Sequence, residues 1–255
     1  MKLHSIILGE GQPFIILHGF LGMSDNWKTL GKKFSEIGYQ VHLVDQRNHG
    51  RSPHSDNFSY EYMSDDLLEY CIDHNLNNIV ILGHSMGGKT AMEFSCTYEE
   101  KVNKLIVADI APKYYPLHHQ DILDSLQALD FEKITSRKEA ENILSEYIND
   151  IGTRMFLLKN LYRVEGSKFK LRINLKTLNK NVAEIGKALI ATKKFEKPTL
   201  FLRGDKSNYI KDADIFDLKV HFPNTMLETV SKSGHWLHAE NPIEFYEKTI
   251  NFLNK

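Results

Sequence analysis

The sequence predicts an α/β fold in which a mainly parallel sheet is interrupted along the chain by a block of helices. Short apolar runs alternate with amphipathic helical patterns over residues 1–111, and the same alternation returns over residues 197–255. Alternation of this kind produces parallel strands joined by right-handed crossovers. Residues 112–196 show helical patterns without a strand ladder. We therefore expect a core built from 1–111 and 197–255, and a helical cap, or lid, built from 112–196.

The elements of this prediction follow from the spacing of the apolar residues. The predicted strands are Leu3–Leu8 at an edge, Phe14–Leu17, Val41–Val44, Ile79–Leu82, Leu105–Ala108, Thr199–Leu202 and Met226–Val230. The predicted core helices are Asp25–Ile37, Tyr60–His74, Met86–Thr97, Asp212–Val220 and Ile243–Leu253. In the cap, helices are expected at Leu117–Leu129, Arg137–Ile148, Gly152–Leu161 and Leu175–Ala191.

The composition and the net charge limit the classes of protein to which the chain can belong. The chain has 255 residues, of which 42% are hydrophobic and 25% charged, as in an ordinary globular domain. A net charge of -1 provides no global attraction to nucleic acid or to an anionic membrane. Neither a signal peptide nor a run of about 20 apolar residues is evident, and two cysteines, Cys71 and Cys96, fit a reducing compartment. We expect a cytoplasmic protein without nucleic-acid partners or stable membrane insertion, of undetermined oligomeric state.

The sharpest motif is Gly83-His84-Ser85-Met86-Gly87, which joins a predicted strand to a predicted helix. A strand that turns at once into a helix forces a strained backbone at Ser85 and presents its hydroxyl at the carboxyl end of the sheet. The helix adds its dipole and its free N–H groups at the same point. We expect Ser85 to be the nucleophile in acyl transfer to water, through an acyl-serine intermediate that needs no cofactor.

A second glycine-rich loop is expected to complete the oxyanion hole. Strand Phe14–Leu17 ends in His18-Gly19-Phe20-Leu21-Gly22, and the loop after this strand supplies the second donor in sites of this kind. We expect the N–H groups of Met86 and Phe20 to bind the oxyanion, with Leu21 as the alternative loop donor. His18 is expected to brace the loop. The segment Asp45–Ser52 is likewise interpreted as bracing for the active-site floor.

Among the 12 histidines, His235 is the predicted base, because it follows strand Met226–Val230 in a loop near the expected nucleophile. His238 is interpreted as a neighbour. Two residues are candidates for the acid that orients His235. Asp205 lies in the usual turn, Gly204-Asp205-Lys206-Ser207, but the second acid of the common G-D-x-D pattern is replaced here by Ser207. Asp109 ends the strand after the nucleophile strand and faces the same edge of the sheet.

These motifs resemble the α/β-hydrolase superfamily over nearly the whole chain, and most closely the YbfF-type bacterial esterases and their mitochondrial relatives. The segments that carry the resemblance are 17–27, 45–52, 83–89, 108–112 and 233–236. We expect an eight-stranded, mostly parallel sheet, and the resemblance implies a small helical cap. It also implies hydrolysis of carboxylic esters, including acyl-CoA thioesters, by a Ser–Asp–His triad. In those esterases the acid is placed at the position of Asp109, so we favour Asp109 and keep Asp205 as the alternative.

Two further features bear on the substrate. The stretch 159–172 carries Lys159, Arg163, Lys168, Lys170 and Arg172 against the single acid Glu165, which is typical of a solvated face or of a landing site for coenzyme A phosphates. Aromatic residues that could line an acyl pocket, or simply pack in the core, are Phe20, Trp27, Tyr114, Tyr115, Phe156 and Trp236. No cluster has metal-ligand spacing, and Leu117-His118-His119 is too short to indicate a metal.

Other activities remain open on this fold. A haloalkane dehalogenase or an epoxide hydrolase would need an aspartate in place of Ser85, which argues against both. A carbon–carbon bond hydrolase or a cofactorless lyase could use the same triad. A receptor with very slow turnover could also keep it, and kcat would separate that class from an enzyme. The natural substrate and its acyl chain length are not determined by the sequence.

Overall fold

A computed structural model describes residues 1–117, 119–164 and 168–255. His118 and Glu165, named above, lie outside these residues. The main sheet has the order β1-β3-β2-β4-β5-β8-β9, and every pairing in it is parallel except the one between β1 and β3. Its strands are β1 (Ser5–Leu8), β2 (Gln12–Leu17), β3 (Tyr39–Val44), β4 (Ile79–His84), β5 (Val102–Ala108), β8 (Thr199–Gly204) and β9 (Thr225–Val230).

The predicted α/β fold is confirmed, but the expected count of eight strands is wrong for the main sheet of the described residues. That sheet has seven strands, and each corresponds to one of the seven apolar runs identified in the sequence. An eighth strand would have needed another apolar run of its own. The predicted edge strand, β1, pairs only with β3 and ends the sheet on that side.

Helices cover both faces of the sheet, because alternate strand residues point to opposite sides. In β2, Ile15 and Leu17 join one core cluster, while Phe14 and Ile16 join the other. The helices of the α/β part are α1 (Lys28–Ser35), α2 (Tyr60–Asp73), α3 (Met86–Thr97), α9 (Ile215–His221), α10 (Leu237–Glu240) and α11 (Pro242–Leu253). The first cluster takes side chains from α2, α3 and α9, and the second from α1 and α11.

Between β5 and β8 the chain forms a helical insertion. Its helices are α4 (Gln120–Gln127), α5 (Arg137–Ser145), α6 (Ile151–Leu158), α7 (Leu175–Lys180) and α8 (Val182–Gly186). It also contains an antiparallel pair of short strands, β6 (Leu161–Arg163) and β7 (Phe169–Leu171), where the sequence predicted no strand ladder. The predicted helix Gly152–Leu161 therefore ends early, because Leu161 turns into this pair.

The insertion has a hydrophobic core of its own. Leu123, Leu144 and Leu157 belong to a cluster that also includes Phe20 and Met86 from the loops at the carboxyl end of the main sheet. The insertion thus packs over the edge of the sheet where the predicted nucleophile lies. The division into a core and a cap at residues 112–196 stays a prediction. None of the helices in the described ranges is long and apolar enough to cross a membrane.

Candidate active site

Ser85 lies at the sharp turn between β4 and α3. Its backbone has φ 52° and ψ -117°, a strained conformation for a residue with a side chain. Two glycines permit the turn: a Cβ on Gly83 would lie 2.1 Å from the carbonyl oxygen of Gly87, and one on Gly87 would lie 2.5 Å from that of Leu17. The local sequence therefore determines this turn, which points the Ser85 side chain away from β4 at the carboxyl end of the sheet.

The three residues named from sequence as nucleophile, base and favoured acid are joined by hydrogen bonds. The Nε2 atom of His235 lies 3.0 Å from Oγ of Ser85, and its Nδ1 atom lies 2.8 Å from Oδ2 of Asp109. These atoms come from three separate loops, after β4, β5 and β9. In this geometry a neutral imidazole donates from Nδ1 to the carboxylate and accepts the serine proton at Nε2.

The environment of Asp109 explains how a carboxylate can function at this position. Its side chain is fully buried, and burial raises its pKa to about 7. The Ser207 hydroxyl donates to Oδ2 and the Gly204 N–H donates to Oδ1, and both bonds lower the pKa and so favour the charged form. Ser207, which occupies the position of the second acid in the G-D-x-D pattern, therefore contacts the carboxylate of Asp109, the favoured candidate for the acid.

Asp205, the alternative acid, makes different contacts. It is exposed, and its two carboxylate oxygens accept hydrogen bonds from the backbone N–H groups of Lys232, at 2.8 Å, and Ser233, at 2.9 Å. These bonds hold the pKa of Asp205 below its ordinary value. Asp205 therefore binds the backbone of the loop that carries His235, while Asp109 binds the imidazole itself.

The loop after β2 is held in a single arrangement by buried polar contacts. The Leu21 N–H donates to Nε2 of His49 at 3.2 Å, and the Leu21 carbonyl accepts from Nδ2 of Asn160 at 2.8 Å. Burial lowers the pKa of His49 to about 3, so its ring is neutral and can accept. Because the Leu21 N–H is already engaged, Phe20 is the better candidate of the two predicted loop donors.

His18 braces this loop, as interpreted from the sequence. Its Nε2 atom accepts from the Gln46 N–H at 3.0 Å, and the Gln46 side chain donates to the His18 carbonyl at 2.8 Å. Asp45, in the same segment, accepts from the Ser24 N–H at 2.6 Å and from the Arg51 N–H at 2.9 Å. The segment Asp45–Ser52 thus supports the loop that carries Phe20.

Further aromatic side chains surround His235. The ring of Tyr209 stacks on it, with centroids 3.9 Å apart and planes at 15°. His84 packs against it, and burial lowers the pKa of His84 well below its usual range. His238 stacks on Trp27 with centroids 4.1 Å apart, which agrees with its interpretation as a neighbour. Tyr209 was not predicted from the sequence, where its signal is its position two residues after Ser207.

A cavity of about 530 Å³ opens at Ser85 and His235. Four of the six aromatic residues proposed for an acyl pocket line it, namely Phe20, Trp27, Phe156 and Trp236. Tyr115 lines a separate small cavity beside Ser85, and Tyr114 is 61% exposed. The helical insertion contributes one wall, with side chains from Ile122, Met155 and Phe156. The volume is within the usual range for a small-molecule site.

The basic stretch is only partly directed at this cavity. Lys159 lines the cavity, whereas Lys168 pairs with Glu132. The guanidinium groups of Arg163 and Arg172 lie over the rings of Phe169 and Tyr162, at 4.7 Å from each centroid. Of the five cations, Lys159 thus lies where it could contact a substrate bound in the cavity.

Comparison with known proteins places the chain in a family. A family model described as the alpha/beta hydrolase fold matches residues 12–242. The chain is 36% identical to "sn-1-specific diacylglycerol lipase ABHD11" of Mus musculus, over 94% of this chain and 80% of the relative. It is 30% identical to "Esterase YbfF" of Escherichia coli, over 96% and 94%.

A solved structure named "Marine microorganism esterase" covers 99% of this chain and 99% of its own, with a TM-score of 0.96 and 44% identity. The resemblance to YbfF-type esterases stated from the motifs is therefore confirmed. The chain belongs to the α/β hydrolase fold family, as a carboxylic ester hydrolase of the esterase and lipase type.

Proposed function

We propose that this protein hydrolyses carboxylic esters and thioesters through an acyl-serine intermediate on Ser85. The observation that carries the proposal is the continuous hydrogen-bonded chain from Ser85 through His235 to Asp109, with separations of 3.0 and 2.8 Å. In our proposal Ser85 is the nucleophile, His235 the general base and acid, and Asp109 the acid that orients the imidazole. Asp205 remains the alternative acid, which its contacts with the backbone disfavour.

The proposed reaction has two steps. The Ser85 oxygen attacks the acyl carbonyl while Nε2 of His235 takes the hydroxyl proton, and the carbonyl oxygen becomes an oxyanion that the Phe20 and Met86 N–H groups bind. His235 then gives its proton to the leaving alcohol or thiol, and the acyl group stays on Ser85. In the second step water attacks this acyl-serine while His235 takes a proton from the water. The bond between the acyl carbon and Oγ of Ser85 then breaks, His235 returns the proton to Oγ, and the acid product leaves.

The substrate is proposed from the walls of the cavity. Apolar side chains, among them Ile122, Met155 and Phe156, suit an aliphatic acyl chain. We propose that the cap, residues 112–196, covers this aliphatic chain and shields it from solvent, while the acyl carbonyl at Ser85 stays open to the attacking water. The relative named a diacylglycerol lipase supports lipid esters as one substrate class to test. We further propose that the protein acts in the cytoplasm, where acyl thioesters would be available.

Acyl-CoA is the thioester that the basic stretch would recognise, and Lys159 is the cation best placed for it. In the Lys159→Met variant, KM for an acyl-CoA should rise several-fold, while KM for a neutral aryl ester of the same acyl length should stay unchanged. The double variant Arg163→Ala and Lys168→Ala tests the rest of the stretch in the same way. Equal changes for both substrates would rule out recognition of the coenzyme A phosphates.

A substrate panel tests the proposed function as a whole. p-Nitrophenyl esters and acyl-CoAs of graded chain length should be turned over by the wild-type protein and not by Ser85→Ala. Failure of all these substrates, with turnover of a carbon–carbon bond substrate, would instead support a lyase or carbon–carbon hydrolase. A kcat far below about 1 per second for every ester would support a receptor.

A further inference from the structure

We infer that Glu240 is a positioning residue for His235, because its carboxylate fixes the backbone on both sides of the imidazole. Its Oε2 atom accepts a hydrogen bond from the Gly234 N–H at 2.8 Å, and its Oε1 atom accepts one from the Trp236 N–H at 3.2 Å. Bonds from N–H groups to an ionised carboxylate are stronger than neutral ones. The inference rests on the proposed role of His235 as the general base.

Glu240 belongs to a set of three carboxylates that hold the His235 loop, defined here as residues 231–236. Asp205 accepts from the N–H groups of Lys232 and Ser233, and Glu244 accepts from the Ser231 N–H at 2.9 Å. Together the three side chains bind the backbone N–H of every residue of the loop except His235 itself. Of the three, Glu240 binds the N–H groups of the two residues that flank His235 in sequence.

Two carbonyl groups of the loop are also held by hydrogen bonds. Nε2 of His84 lies 2.8 Å from the His235 carbonyl, and the Lys206 N–H donates to the Ser233 carbonyl at 2.9 Å. Lys232 has φ 53°, in the left-handed region that costs free energy for a residue with a side chain. Such a conformation persists only where the surrounding contacts determine it, which indicates that the loop is held under constraint.

This constraint matters because the histidine must meet two partners at once. His235 is hydrogen-bonded to Ser85 at 3.0 Å and to Asp109 at 2.8 Å. A rotation or shift of its backbone therefore lengthens at least one of these two hydrogen bonds. A misplacement of about 1 Å can cost roughly 100-fold in rate. Glu240 also lines the cavity, so a contact with the substrate is the competing explanation for any loss of activity.

The test compares Glu240→Gln with a matched control, Glu247→Gln. Glu247 is an exposed glutamate on α11 that does not line the cavity. Glutamine keeps the size of the side chain but has only one oxygen and no charge, so one loop N–H loses its acceptor. We expect kcat for a p-nitrophenyl ester to fall roughly 10- to 100-fold in Glu240→Gln, with KM within about twofold of the wild type. Glu247→Gln should match the wild type in both.

A spectroscopic readout separates positioning from general stability. A histidine Nδ1 proton bonded to a buried carboxylate gives a low-field proton resonance, which should be sharp in the wild type and in Glu247→Gln. It should broaden or shift in Glu240→Gln, and it should be absent in Asp109→Asn. If Glu240→Gln is poorly folded, Glu240→Asp, which keeps the charge on a shorter side chain, should show the same pattern with a smaller loss of kcat.

Each other outcome contradicts the inference in a recognisable way. A kcat equal to that of the control, or a raised KM with an unchanged resonance, would show that Glu240 does not position His235. Failure of the proposed function looks different, because His235→Ala would then keep its activity. If His235→Ala is inactive while Glu240→Gln is fully active, only the inference about Glu240 fails.

Discussion

Replacing the buried Asp109 by asparagine should destroy activity and at the same time stabilise the folded protein. Burial raises the pKa of Asp109 from 3.8 to about 7, so the folded protein holds this proton more tightly than the unfolded chain does. Stability therefore falls as the pH rises through this window. Three pKa units correspond to about 4 kcal/mol, an upper value, because the bond to His235 offsets part of the cost at neutral pH.

For Asp109→Asn we expect the free energy of unfolding at pH 8 to exceed that of the wild type by about 1–3 kcal/mol. The difference should shrink toward zero near pH 4, where the wild-type carboxyl is protonated when folded. The kcat should fall by roughly 10⁴-fold, as expected when the group that orients the base is lost. The free energy of unfolding is measured by urea denaturation at pH 4 and pH 8, and kcat is measured by ester hydrolysis at pH 8.

Asp205→Asn is the matched comparison, because its effect on stability should have the opposite sign. Hydrogen bonds from the Lys232 and Ser233 N–H groups lower the pKa of Asp205, so its charge stabilises the fold above pH 4. Asp205→Asn should therefore be less stable than the wild type at pH 8. The reasoning is refuted if Asp109→Asn is no more stable than the wild type at pH 8, or if it keeps near wild-type activity while Asp205→Asn is inactive.

Three other outcomes are expected. Ser207→Ala should lower kcat by about 10-fold and move the acid limb of the kcat/KM profile to higher pH, since the hydroxyl that lowers the pKa of Asp109 is lost; an unchanged profile would contradict this. Burial lowers the pKa of Lys89 to about 7, so between pH 7 and 9 the unfolded chain binds more protons than the folded protein. The free energy of unfolding, measured by urea melts, should therefore rise over this range in the wild type relative to Lys89→Met. Parallel curves for the two proteins would contradict this prediction. Ile81 is fully buried in the centre of the sheet, so Ile81→Ala should lower the free energy of unfolding by about 2–5 kcal/mol and leave KM unchanged. A loss below about 1 kcal/mol in urea denaturation would contradict this.

The elements that the sequence predicted well are those whose pattern is local. Each apolar run of the α/β part became a strand, and the turn at Ser85 followed from the glycines on either side of it. The expected eighth strand had no such run. In the insertion, β6 and β7 are only three residues long, which is too short for alternation to be distinguished from the end of a helix.

The choice of acid could not be made from local pattern, because it depends on how distant segments meet. Asp109 follows β5, Ser207 follows β8, and the parallel pairing of Ala108 with Leu202 is what brings the two loops together. The sequence showed that Ser207 lacks a charge but could not show that its hydroxyl reaches Asp109. The role of Glu240 was missed for a similar reason, since its bonds are made to backbone atoms that a side-chain motif does not reveal.

The central claim, ester hydrolysis through an acyl group on Ser85, is tested most directly by trapping that intermediate. The protein is mixed with a p-nitrophenyl ester, quenched with acid within the first turnover, and analysed by intact mass and by mass spectrometry of its peptides. We predict an added mass equal to one acyl group on the peptide that contains Ser85, and none in Ser85→Ala. Hydrolysis that continues in Ser85→Ala, or an acyl group found on another residue, would contradict the account.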